Sequence, residues 1–297
     1  MLDPAQLAAL AAVHRRGSFD LAAASLNVTP SAVSQRIKAL EETVGTLLLR
    51  RGQPCVATPV GLRLIRHHDE VLLLESRLAK DLPAQTRDSA TLRIAVNADS
   101  LATWILPVLA EVPGFLFDLV IDDQDVSQDW LRRGEVVAAL TGHPGPVQGC
   151  DSLAMGALRY RATASPGFAA RWFSDGVTSQ ALSRAPSLRF SDSDRLQDRW
   201  SARVTGSTRP GSLPTHRIAS TQGFVEASLL GLGWGMNPEA LVALPLAEGR
   251  LVELVPDTPL DVPLYWQFTR LVAPALDPLT HALRAQAGRA LVSPARL

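Results

Sequence analysis

Apolar positions in the first 45 residues recur at helical spacing and are interrupted by caps and stops. Asp3-Pro4 predicts a helix start, because Asp can accept orphan backbone N–H groups and Pro loses no bond in the first turn. Leu7, Leu10, Ala11 and Val13 supply the apolar face. Arg15-Arg16-Gly17 closes the helix, with cations at its negative end and Gly for the left-handed stop. Ser18 caps a second helix with Phe19, Ala22, Ala23 and Leu26 on its inner side. After a break at Asn27-Val28, Thr29-Pro30 repeats the start signal. Val33, Ile37, Leu40 and Val44 then form one stripe that ends at Gly45.

Two short helices, a tight turn and a third helix make the helix-turn-helix plan. The outer face of the third helix carries Ser31, Ser34, Gln35 and Lys38, with Pro30 at its tip. Short polar groups there suit base edges, and a cation further along suits phosphate. The same face also reads as the solvated side of an ordinary three-helix domain. Leu47–Leu49 and Cys55–Ala57 flank the basic turn Arg50-Arg51-Gly52-Gln53-Pro54, which predicts a strand–turn–strand wing with Arg at its tip. Cys55 reads as a small buried apolar residue.

Thr58-Pro59 starts a fourth helix that runs to about Leu82-Pro83, a length of about 36 Å. Leu64, Val71 and Leu78 fall at heptad spacing, with Leu74 beside them and Ile65 and Leu72 as a second stripe. A long helix with such a seam calls for a partner, here a second copy of itself. His67 and His68 are adjacent and point to different faces, so they make no helical metal pair.

Pro83–Ala90 is a polar, Pro-containing hinge. Beyond it, strands are predicted over 92–96, 115–121 and 136–140, alternating with helices over 100–109 and 127–133. This alternation implies an α/β region with a mostly parallel sheet and helices on both faces. Further strands are predicted over 159–164, 188–190, 234–236, 251–254 and 262–269, with a last helix over roughly 278–292.

Composition adds a charge asymmetry. The 297 residues hold 29 basic and 29 acidic side chains, yet residues 1–66 carry eight basic and four acidic, a charge of +4 that leaves −4 for the rest. A basic end on a mildly acidic body suggests a polyanion-binding module joined to something else. At 46% hydrophobic residues and two cysteines, disorder and disulfide scaffolds are excluded. Two cysteines far apart, no signal peptide and no long apolar run lead to the expectation of a soluble, cytoplasmic protein.

No catalytic constellation emerges: the chain lacks Gly-x-Ser-x-Gly, a P-loop, a dinucleotide Gly-x-Gly-x-x-Gly and Cys-x-x-Cys. Neither an enzyme nor a cofactor is expected. A small-molecule site is the better reading, since ligands bind beyond the carboxyl ends of strands in α/β sheets. Asn97-Ala98-Asp99-Ser100 occupies such a junction and can receive an anion; Asp122-Asp123-Gln124-Asp125 concentrates negative charge at another. Together they suit a cationic amino acid. The same aspartates also read as helix caps and solvated loop residues.

Residues 18–45, SFDLAAASLNVTPSAVSQRIKALEETVG, followed by LLLRR and TPVG, resemble the winged helix-turn-helix of LysR-type transcriptional regulators. The likeness extends along nearly the whole chain. VNADSLATW (96–104), LRRGEVVAALT (131–141), STQGF (220–224), GLGWGM (231–236) and LDVPLYWQ (260–267) are similar to the ArgP/LysG branch, which senses lysine or arginine and controls export or metabolism of basic amino acids. The resemblance implies a winged helix-turn-helix over 1–58, a linker helix and hinge over 59–90, and an effector-binding domain over 91–297. That domain is of periplasmic-binding-protein type, with one subdomain at 91–160 plus 265–297 and the other at 161–264.

On this model DNA contacts fall on Pro30, Ser31, Ser34, Gln35, Lys38 and Arg51. The commonest family pattern has Ser-Arg where this chain has Ser34-Gln35. The effector pocket would include Asn97, Asp99, Ser100 and Trp104, with Asp123, Thr141, Thr221 and Met236 as further members; Trp104 reads equally as core. The implied partners are double-stranded DNA, lysine or arginine, further copies in a homodimer or homotetramer, and RNA polymerase, with no membrane. Two other readings are a LysR-type regulator with a different effector and an architectural DNA-binding protein with none.

Overall fold

Asp3 accepts the N–H groups of Ala5 and Gln6 and so opens α1 (Pro4–Arg16), which Gly17 ends at φ +72°. Ser18 caps α2 (Phe19–Ser25) and Thr29 caps α3 (Pro30–Val44) through the Leu21 and Ala32 N–H groups. Asn27, at φ +53°, makes the tight turn between them, a conformation Asn tolerates better than most residues. Leu10, Val13, Ala22, Val33, Ile37 and Leu40 bury together, as the stripe pattern requires. The wing pairs β1 (Leu49–Arg50) with β2 (Val56–Ala57) antiparallel, and Cys55 is buried beneath it. In α4 (Pro59–Asp81), Gly61 is obligatory: a Cβ there would lie 2.2 Å from the Leu48 carbonyl oxygen. The computed structural model describes residues 2–81, 90–122, 127–206 and 213–293, so most of the expected hinge lies outside the described residues.

The C-terminal region opens with β3 (Ala90–Asn97) and a broken helix: α5 (Ala98–Ser100), a π turn (Leu101–Ile105) and α6 (Leu106–Glu111). The sequence predicts one continuous helix here. Pro107 has no N–H to give the carbonyl four residues back, and the ladder widens ahead of it. β4 (Phe115–Asp122), α7 (Ser127–Arg133) and β5 (Ala138–Thr141) complete the first half. β6 (Cys150–Ala164) then leads into α8 (Pro166–Trp172), α9 (Ser179–Leu182), β7 (Ser187–Arg189), α10 (Leu196–Thr205) and β8 (Thr215–Arg217). α11 (Thr221–Leu229), β9 (Gly235–Pro238), α12 (Glu239–Ala247) and β10 (Val252–Glu253) follow. β11 (Leu260–Thr269) returns to the first half, and α13 (Ala273–Ala290) ends the fold.

The main sheet has the order β10-β6-β11-β5-β3-β4, with β9 also on β6. It is mixed, which corrects the expectation of a mostly parallel sheet. Only β3 runs parallel to its neighbours β4 and β5; β11 is antiparallel to β5 and β6, and β6 is antiparallel to β9 and β10. The reason lies in β6 and β11, two long strands that carry the chain out to the second half and back without a helical crossover. β6 also begins well before the predicted 159, because its first half is shielded by β11 and shows no clean alternation. Trp104, Trp200, Trp234, Trp266 and Tyr160 are fully buried in the large core. Leu73 of α4 joins that core, and Arg15 of α1 binds Asp69 of α4 at 2.5 Å, so the linker helix packs on both units. Among the described residues no helix is long and apolar enough to cross a membrane.

Candidate DNA-binding face and effector cleft

Packing Val33, Ile37 and Leu40 inward turns the opposite side of α3 to solvent. Pro30, Ser31, Gln35 and Lys38 are exposed there and Ser34 is half-buried. Lys38 has only a loose ion pair with Glu42 at 3.8 Å, which leaves its charge available. Arg51, exposed in the wing turn, holds its guanidinium 5.8 Å from the Phe19 ring centroid, so wing and α2 present one surface. Helix face and wing together can follow a groove and its flanking phosphates.

A cleft opens where β3 and β4 end, facing β9 and the start of α11. Asp99 stands at its centre. The Tyr160 hydroxyl donates to Asp99 Oδ2 and the Thr221 hydroxyl to Asp99 Oδ1, each at 2.8 Å. Ser220 positions Thr221 by capping α11 through the Gly223 N–H.

Two more carboxylates line the cleft. Asp122 accepts the Trp130 indole N–H at 3.0 Å. Asp194 is buried, and its two oxygens accept the Phe190 and Leu196 N–H groups, each at 3.0 Å. Phe190, Leu196, Phe224 and Met236 supply apolar walls. Asn237 also lines the cleft; its amide nitrogen donates to Thr163 and Ser228, while its carbonyl oxygen is buried with no partner. Among the described lining residues there is no Lys, Arg or His. The cleft is therefore an anionic recess with apolar walls, suited to a cation.

Of the residues expected in the pocket, Asp99, Thr221 and Met236 line the cleft. Asn97 and Ser100 flank Ala98-Asp99 but do not line the cleft; both are buried, with the Asn97 amide and the Ser100 hydroxyl unpartnered. Trp104 belongs to the large core and does not line the cleft, because the π turn faces it inward against the sheet. Thr141 is buried between strands at the end of β5, where its hydroxyl accepts the His143 N–H at 3.2 Å; it is not a lining residue either. Asp123 lies outside the described residues. The sequence reading did not single out Phe190, Asp194, Leu196, Phe224, Asn237 or Pro238. Ser-Asp-Ser-Asp before α10 and Asn-Pro at the end of β9 were the available signals.

The seam residues divide. Leu64 is half-buried against the core of the winged helix, and Val71 is half-buried. Leu72, Leu74 and Leu78 are exposed at 43%, 37% and 58%, leaving an apolar strip on the second half of α4.

Comparison with known proteins agrees with both halves. Residues 4–62 match the bacterial regulatory helix-turn-helix protein model of the lysR family, and residues 85–288 match the LysR substrate binding domain. The chain is 46% identical over 287 residues to the HTH-type transcriptional regulator LysG of Mycobacterium bovis, covering 96% of this chain and 94% of the relative. The crystal structure of ArgP from Mycobacterium tuberculosis is similar at a TM-score of 0.82 and 45% identity, covering 99% of this chain and 100% of that one. Full-length LysG from Corynebacterium glutamicum with bound effector Arg is similar at a TM-score of 0.69 and 36% identity, covering 98% and 99%. With the winged helix at one end and the substrate-binding fold at the other, the chain belongs to the LysR family of bacterial transcriptional regulators.

Proposed function

We propose that the effector of this regulator is a basic amino acid, lysine or arginine, held in the cleft around Asp99, and that the regulated process is export of such amino acids. The observation that carries this is the charge of the lining: Asp99, Asp122 and Asp194 with no basic side chain among the described residues. A neutral or anionic effector would leave these three carboxylates, one of them buried, without a counter-charge. A basic amino acid brings two cations. The solved relative with bound Arg supports the same class of effector.

The effector would bridge the two halves of the C-terminal region and change how subunits sit on DNA, altering transcription by RNA polymerase from an adjacent promoter. Subunits would pair through α4, with Leu74 and Leu78 exposed on the seam, Val71 half-buried beside them and Leu64 shared with the winged-helix core. The test is calorimetry on the full chain. Lysine or arginine should bind saturably while glutamate and leucine give no binding heat; equal binding of glutamate overturns the reading.

A further inference from the structure

A second recess, of about 780 Å³, lies between the first half of α4 and the effector-binding region, separate from the cleft around Asp99. Four arginines border it: Arg63 and Arg66 on α4, and Arg132 and Arg133 in the last turn of α7. Three have acidic neighbours. Arg66 Nε stands 3.9 Å from Glu70, Arg132 binds Asp129 at 2.8 Å, and Arg133 binds Glu135 at 3.0 Å. Arg63 is exposed and has no acidic partner among the described residues.

Glu70 is the one acid among the described residues that border the recess. Burial raises its carboxyl above the usual range, against the pull of Arg66, and so favours its neutral form. Thr269 also borders the recess. It is 7% exposed, and its hydroxyl has no hydrogen-bond partner, an arrangement native proteins rarely leave unused. Four arginines bordering one recess, one of them without an acidic partner among the described residues, and a buried hydroxyl without a partner describe an anion receptor.

We propose that this recess binds a small, multiply charged anion bearing a diphosphate group. Guanidinium forks match phosphate oxygens two at a time, and several cations around one recess suit an anion of more than one charge. The volume is that of a small-molecule site, so a duplex is not the occupant. One wall is the helix that carries the DNA-binding unit and the other is the effector-binding region. Occupancy therefore fixes the angle between them and couples the anion to DNA affinity.

The experiment is isothermal titration of the full chain, at constant ionic strength, with inorganic pyrophosphate and separately with adenosine diphosphate. Saturable one-to-one binding of at least one of them is expected, and the tighter arm tells a bare diphosphate from a nucleotide. Arg63→Gln, at an exposed position, should weaken binding at least fivefold, and Thr269→Val should weaken it measurably with no change of charge. Asp122→Asn, in the other cleft, should leave it unchanged. Flat titrations with both probes overturn the proposal. So does affinity that survives both Arg63→Gln and Thr269→Val.

Discussion

Thr221 and Asp99 meet across the candidate cleft: the Thr221 hydroxyl, at the start of α11, donates at 2.8 Å to an Asp99 oxygen in α5, just beyond β3. Tyr160 holds the other oxygen, so the carboxylate ties the two halves of the region together. Hydrogen bonds to charged groups contribute about 1.5–3 kcal/mol each. Thr221→Val keeps the shape and removes the donor. Urea unfolding of the effector-free chain should show its C-terminal transition destabilised by that amount; an unchanged midpoint would show that the bridge adds no stability.

Charge in the cleft can be tested apart from shape at Asp122. Its Oδ2 accepts the Trp130 N–H, a bond that an Asn side-chain carbonyl can also accept. Asp122→Asn therefore removes one negative charge with little rearrangement. Affinity for arginine or lysine should fall about tenfold, or about 1.4 kcal/mol, with the loss shrinking at high salt. Undiminished affinity would place the effector's cations on Asp99 and Asp194 alone.

How much of this was legible in the sequence follows from how local each signal is. Asp3, Ser18 and Thr29 cap helices within three residues of themselves, and the winged helix follows from such signals. Asp99 was legible as a strand-end carboxylate. Asp194 and Asn237 were not, because β6 and β11 bring them to Asp99 from distant parts of the chain by an antiparallel crossing that no local periodicity encodes. Trp104 sits at the spacing of a pocket residue, but a π turn has no clear sequence signature and it rotates the indole into the core.

His14 links the helical core to the wing, its Nδ1 accepting the Ala57 N–H at 3.3 Å. Burial lowers its pKa below the ordinary 6.5, with Arg93 and Arg15 adding to the effect. The unfolded chain then takes up this proton at a higher pH than the folded one. The stability contribution is full above about pH 6.5 and is lost as the pH falls from there through the folded value. Burial lowers His68 in the same direction. Melting temperature should thus drop between pH 7.5 and 5.5, and His14→Gln should drop less, keeping the part due to His68. Identical slopes in both proteins would remove His14 as the source.

The DNA face makes the last separation, between reading bases and holding phosphates. Gln35 is exposed on α3 in the first half of the helix, where it can bond adenine in two places, while Arg51 is exposed in the wing turn beside Phe19. Gln35→Ala should relax preference at one position of each half-site, with a loss of about 1–3 kcal/mol of discrimination and little change on non-specific DNA. Arg51→Ala should weaken every sequence alike and reduce the salt slope by about one ion per subunit, because a lost phosphate contact releases one counterion fewer. Binding selection on a randomised duplex, repeated at several salt concentrations, measures both. If the two variants lost affinity in the same way, with no change of base preference in Gln35→Ala, α3 would be acting on the backbone and not in the major groove.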